Sequence, residues 1–153
     1  MILTLFEAEL RRDEAVRYVR YIDSEGNPTC GVGHNLNSSP LPAGWKFPLN
    51  DAQVTQLLSQ DIADTLHQLD VHLSWWRQLD EVRQRVIANM CFNMGIDKLL
   101  GFAHMLAALK LHNFAVAAAE MKNSKWFGQV GDRAVRLCSA MSTGVMPVAA
   151  GVA

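Results

Sequence analysis

The stretch Asp13-Glu14-Ala15-Val16-Arg17-Tyr18-Val19-Arg20-Tyr21-Ile22-Asp23-Ser24-Glu25-Gly26-Asn27-Pro28-Thr29-Cys30-Gly31-Val32-Gly33-His34 is where the periodicity of the chain changes. Before it, Leu3, Phe6 and Leu10 recur at spacings of three and four, which predicts a short helix ending near Glu14. Within it, Val16, Tyr18 and Arg20 alternate with Arg17, Val19 and Tyr21, in a run rich in β-branched and aromatic residues. Asp23 to Pro28 is dense in turn-forming residues, and Thr29 to Gly33 resumes as a glycine-rich strand. The expectation is one β-hairpin, Val16 to His34, with Asp23 beside its turn.

Further along, Asn35 to Leu49 is loop-like, with Pro40, Pro42, Gly44 and Pro48. Asn50 and Gln53 have the spacing of a capping box. Val54, Leu57, Leu58, Ile62, Leu66 and Leu69 then predict a long helix from about Asp51 to His72. The remainder reads as helices: Asp80 to Met94 stopped by Gly95, Phe102 to Leu111, and Phe114 to Lys122 capped by Asn113. Ser124 and Asp132 are expected to cap two more, the last ending at Gly144. The expected class is α+β, mostly α. A single domain, 1–153, would comprise a small N-terminal lobe (about 12–55) with a β-hairpin or short sheet, a linking helix (about 51–72), and a C-terminal helical bundle (about 73–144) that also takes in helix 3–14. A cleft between such lobes is a natural place for a substrate.

Composition narrows the function classes. Of 153 residues half are apolar and 19% charged, and the formal net charge is −1. That balance gives no global pull toward nucleic acid or an anionic membrane. No run approaches the roughly 18 apolar residues of a membrane span. Ile2 to Phe6 is apolar, but Glu7, Glu9 and Arg11 follow too soon for an export signal, so synthesis in the cytoplasm is expected. The tail Val145–Ala153 is apolar, short and interrupted by Pro147 and Gly151, and reads as a loose end or a docked strap.

Cys30, Cys91 and Cys138 stand far apart with no CxxC pair; buried free thiols are expected, and neither a metal nor another cofactor. His67, His72, His104 and His112 are scattered and expected at the surface. Gly31 and Gly33 are not a phosphate loop, because no helix bearing Lys-Ser or Lys-Thr follows; they would let substrate or a neighbouring strand approach the backbone. Trp75, Trp76 and Trp126 are expected to pack, Trp126 bracing the cleft.

Two carboxylates stand out. Glu14 ends a helix, whose partial negative charge disfavours an ionised carboxylate beside it, so it suits general-acid work. Asp23 lies in a polar turn suited to an ionised partner. One protonated and one ionised carboxyl is the pairing glycoside hydrolysis uses. Two acids nine positions apart occur in many chains, and the surrounding motif is what distinguishes this pair.

Glu14, Asp23 nine positions on, Thr29 six further and then Gly31-Val32-Gly33-His34 resemble, without a gap, the active-site stretch of bacteriophage endolysin-type lysozymes of the T-even kind (muramidases, glycoside hydrolase family 24). Gln60-Asp61, Asn89-Met90-Cys91-Phe92-Asn93-Met94-Gly95, Gly101-Phe102, Ser124-Lys125-Trp126-Phe127 and Asp132-Arg133-Ala134 with Arg136 continue the resemblance in order, from about Phe6 to Gly144. It implies cleavage of the β-1,4 bond between N-acetylmuramic acid and N-acetylglucosamine with inversion, with Glu14 as acid, Asp23 on the opposite face of the sugar activating water, and Thr29 helping to hold that water. Gly31, Gly33, Phe102, Gln129 and Arg133 would support substrate or site, Arg133 approaching Glu14. His34 would pair with Asp61, and Glu25 with Lys125 across the cleft mouth. The implied partners are peptidoglycan strands and a separate holin giving access to the wall, with no stable membrane insertion and a monomeric state.

A lytic transglycosylase needs no second carboxylate, so Asp23 and Thr29 disfavour it. A non-catalytic wall-binding relative would not need the intact trio, and a thiol peptidase would need an activated Cys30. Two features depart from the family pattern: the segment between His34 and Asp61 is about a dozen residues shorter, which implies a lost or reduced small helix, and the net charge is near zero.

Overall fold

The computed structural model describes residues 1–148; the reading of the apolar tail lies outside the described residues from 149 on. The chain divides into two compact units, Ile2–Asp64 and Thr65–Ala153 with Met1.

The first unit opens with α1 (Leu3–Glu14), which buries Phe6 and Leu10 of the sequence pattern together with Glu9, while Leu3 is exposed. A three-stranded antiparallel sheet follows, β1 (Arg17–Ile22), β2 (Pro28–Gly31) and β3 (His34–Asn35), in that spatial order. The expected single hairpin is thus a hairpin plus a third strand. The glycine-rich strand breaks at Val32-Gly33, where the chain turns, so that Cys30 pairs with His34 and Thr29 with Asn35. In β1–β2 the register sets Tyr21 opposite Thr29, with an irregularity between Arg17 and Tyr21.

The start of α2 (Asp51–His72) braces this sheet. Asn50 and Gln53 form the reciprocal capping box: the Gln53 N–H donates to Asn50 Oδ1 at 2.8 Å and the Asn50 N–H to Gln53 Oε1 at 3.0 Å. Val54, Leu57 and Leu58 are buried. The Tyr18 hydroxyl donates to Asp51 Oδ1 at 2.6 Å, the Leu49 N–H to the Tyr18 carbonyl at 2.7 Å, and Arg11 to Thr55 Oγ1 at 3.0 Å. Strand β1 and helix α1 are therefore each tied to α2, and β1 also to the loop that precedes it. No helix forms between Asn35 and Asn50.

The second unit takes the rest of α2, a 3-10 turn at Trp76–Gln78, and α3 (Glu81–Met94), α4 (Ile96–Leu100), α5 (Ala103–Lys110), α6 (Phe114–Lys122), α7 (Lys125–Val130) and α8 (Asp132–Thr143). Caps fall at Asp80, Asn113 and Ser124, whose side chains accept from the N–H groups of Arg83, Val116 and Phe127. Asp132 does not cap α8. Gly131 occupies that position, and Asp132 is the first helical residue, where a negative charge favours the helix dipole. Helix α6 packs on α5, α7 and α8, and α3 on α4 and α8. Trp76, Met90, Leu99, Met105, Leu109, Met121, Leu137 and Met141 fill the interior.

Among the described residues no helix is long and apolar enough to cross a membrane. All three cysteines are buried free thiols, and His67, His72, His104 and His112 are exposed.

Candidate active site

Glu14 is the last residue of α1, half-buried. The chain leaves the helix through Ala15 at φ 58°, ψ 169°, a conformation that a residue with a Cβ adopts only under strain. The turn after β1 then positions Asp23. Its Oδ1 accepts from the Glu25 N–H at 2.9 Å and the Asn27 N–H at 2.8 Å, while its own N–H donates to the Asn27 carbonyl at 2.9 Å. An aspartate side chain that closes its own turn this way is fixed in direction by backbone donors.

Thr29 is buried on β2, and its hydroxyl donates to the Asn27 carbonyl at 2.9 Å. A carbonyl only accepts, so the Thr29 proton is committed and the oxygen is left as an acceptor. Asn27 thus links the two side chains, its N–H holding Asp23 and its carbonyl holding Thr29.

Tyr21 faces Thr29 across the ladder, with the Arg17 guanidinium 4.9 Å from its ring centre. Burial raises the pKa of its hydroxyl, the Glu14 charge raises it further, Arg17 opposes, and Asp23 and Cys30 add to the rise. Both carboxylates therefore lie within electrostatic reach of one phenol that stays protonated. Sequence reasoning gave this residue no role; its place two positions before Asp23 in the active-site stretch was the available signal.

The glycines have distinct neighbours. A side chain at Gly31 would face Val54 and Leu57 of α2, whereas the turn at Gly33 abuts the Glu14 carboxyl. His34 is 1% exposed, with Nδ1 2.7 Å from Asp61 Oδ2 and Nε2 2.7 Å from the Ser39 carbonyl. Cys30 is fully buried, and burial first and Asp61 second push its thiol pKa up. Both effects oppose a thiolate, so the thiol-peptidase reading has no activated nucleophile.

Other anticipated residues lie in the second unit. Arg133 is buried, and its Nε donates to Oδ1 of the fully buried Asn89 at 2.8 Å. Trp126 donates through Nε1 to Asn93 Oδ1 at 2.8 Å and meets Phe102 edge-on at 6.2 Å. Lys125 and Gln129 are exposed on α7, as Glu25 is in the first unit. Asn89 and Asn93 had no role in the sequence reading beyond the motif; two amides four apart on a helix share one face, and that was the available signal. Among the described residues no group of three or more His, Cys, Asp or Glu could hold a metal ion.

The phage lysozyme family model matches residues 11–137, which include Glu14, Asp23, Thr29, His34, Asp61, Asn89 and Arg133. The chain belongs to the phage lysozyme family. Within that family, it is similar to the pre-baseplate central spike protein Gp5 of Enterobacteria phage T4, 29% identical over 88% of this chain and 27% of the spike protein. It is 28% identical to a probable T4-type lysozyme of Dictyostelium discoideum over 90% of this chain and 93% of that protein. It is 31% identical to the peptidoglycan hydrolase gp36 of Pseudomonas phage phiKMV over 88% of this chain and 15% of that protein. The lysozyme-like chain thus spans about a quarter of the spike protein and less of gp36, but nearly all of the Dictyostelium relative.

Proposed function

We propose that this chain is a peptidoglycan hydrolase of the muramidase type, cutting the β-1,4 bond between N-acetylmuramic acid and N-acetylglucosamine with inversion. The reading rests on family membership, on relatives named as a T4-type lysozyme and a peptidoglycan hydrolase, and above all on the arrangement of Asp23 and Thr29 about Asn27. A water donating one proton toward the Asp23 carboxylate and the other toward Thr29 Oγ1 aims its lone pair away from both. Glu14 supplies the proton for the leaving oxygen. The glycosidic C–O bond breaks as that oxygen takes the Glu14 proton; the water oxygen bonds to the anomeric carbon and its proton passes to Asp23. Solvent exchange restores both carboxyls. Each proton transfer of this kind is worth about 10²–10⁴-fold in rate, and an inverting site needs about 6.5–9.5 Å between carboxyls to admit the water. The partner is the glycan strand, and the biological setting is lysis of a bacterial wall.

The test is digestion of purified peptidoglycan by wild type, Glu14→Gln and Asp23→Asn, with products read by mass spectrometry. Wild type should release muropeptides with a reducing end that has gained water, and each variant should lose about 10²-fold or more. Anhydromuramic ends would replace this reading with a lytic transglycosylase. Unchanged release by Glu14→Gln would overturn it, and binding without release by wild type would leave a wall-binding module.

A further inference from the structure

The Glu14 carboxyl abuts a residue that has no side chain. A Cβ added at Gly33 would lie 2.9 Å from Glu14 Cδ, 2.9 Å from Oε2 and 3.1 Å from Cγ. Real Cβ atoms essentially never come within 3.0 Å of a heavy atom beyond their own and adjacent residues, so one of the two must move. Gly33 sits in the turn between β2 and β3 at φ +63°, and its neighbour His34 is anchored at both ring nitrogens. The backbone is therefore the fixed partner, and the carboxyl, at the end of two rotatable methylenes, is the one that would yield.

We propose that Gly33 is a positioning residue: its bare backbone is the seat that sets where the Glu14 carboxyl stands relative to the scissile bond. This rests on the reading of Glu14 as the acid. The absence of a side chain at residue 33 then has a functional as well as a conformational reason. A methyl group there pushes the carboxyl out of the direction it must hold for proton transfer, and displacements near 1 Å at a reacting group reduce rates on the order of 10²-fold.

The backbone strain of adding a Cβ at positive φ must be separated from the steric effect on Glu14. Gly44 provides the control, since it has φ +85° in the same unit with no atom within 4 Å of an added Cβ. Gly33→Ala, Gly44→Ala, Glu14→Asp and the Gly33→Ala/Glu14→Asp double variant are compared on a soluble glycan of defined length. Gly33→Ala should lower kcat about 10–100-fold with KM within about threefold, while Gly44→Ala keeps kcat within about twofold. Glu14→Asp withdraws the carboxyl by one methylene, so the loss it causes should be several-fold smaller when added to Gly33→Ala than when added to wild type. Equal kcat in Gly33→Ala and wild type, or additive losses in the double variant, overturns the proposal.

Should Gly33→Ala be too unstable to assay, the same substitution is made in Glu14→Ala. Its effect on Tm should then fall to that of Gly44→Ala, and an undiminished loss overturns the proposal. Glu14→Gln reports separately on the reading beneath: if that variant stays active, the acid assignment fails; if it is inactive while Gly33→Ala keeps its kcat, only the positioning role fails.

Discussion

His34 and Asp61 meet at 2.7 Å between Nδ1 and Oδ2, and the opposite ring nitrogen of His34 meets the Ser39 carbonyl at the same distance. Both partners are acceptors, so only the doubly protonated imidazolium satisfies them together. Burial by itself draws the pKa of His34 down. The Asp61 hydrogen bond and charge, with the Ser39 carbonyl, outweigh it, and the net shift is upward from 6.5. A raised folded-state value means the stabilisation is complete below the unfolded value and fades as pH rises through the folded one. Asp61→Asn should therefore cost about 1.5–3 kcal/mol near pH 5.5 and clearly less near pH 9. Urea unfolding at the two pH values checks this; an equal loss at both would show that the pair is not charged.

Ala15 carries strain immediately after Glu14. Its φ 58°, ψ 169° belongs to a region that costs a residue with a Cβ about 1–3 kcal/mol. Ala15→Gly removes that strain, against roughly 0.5–1 kcal/mol of added unfolded-chain entropy. The expected outcome is a gain of about 1 kcal/mol and a Tm higher by about 2–4 °C, contrary to the usual direction of a glycine substitution. Thermal unfolding decides it, and a lower Tm would mean that the strain is absent.

Much of the fold follows from short-range rules. The first helix, the long helix with its Asn50–Gln53 box, and the caps at Asp80, Asn113 and Ser124 are set by residues within one turn of one another. Elements with no room for a period were not legible. Strand His34–Asn35 is two residues long, helix Ile96–Leu100 five, and the turn at Trp76–Gln78 three. Asp132 looked like a cap because its type suits one, but Gly131, at φ 67°, stands at that position and Asp132 is already helical. In the candidate site, the alternation that put Asp23 beside a turn says nothing of which oxygen the turn holds. The glycine at 33 announced a close approach, but its partner, Glu14, is nineteen residues away in the chain and is brought there only by folding.

Arg83 of α3 closes the end of α8. Its Nε donates to the Met141 carbonyl at 2.8 Å, Nη2 to the Ser142 carbonyl at 3.2 Å and Nη1 to Asp80 at 3.1 Å, with the guanidinium 3.5 Å from the Phe114 ring centre. These are otherwise orphaned helix-end acceptors, and a planar fork serves them and the ring together. Arg83→Ala should lower stability by about 2–3 kcal/mol, and Arg83→Lys should recover less than half of it. Full recovery by lysine in a denaturant titration would reduce the interaction to simple charge.

The net charge of −1 predicts a shallow dependence on ionic strength. With a Debye length of about 10 Å at 0.1 M salt, only local groups such as the exposed Arg17 and Arg20 on β1 can attract an anionic wall. Turnover of purified peptidoglycan should change less than about tenfold between roughly 0.05 and 0.3 M salt. A steeper fall in a turbidity assay would reveal long-range steering that the charge balance does not provide.

The most direct test of an acid at Glu14 acting opposite a water held by Asp23 and Thr29 is the configuration of the newly released reducing sugar. Proton NMR, recorded on a defined glycan before mutarotation, reads it. Attack from the far face of a β-linked sugar must deliver the α anomer first. A β anomer, or a sugar with no free reducing end, would rule that arrangement out.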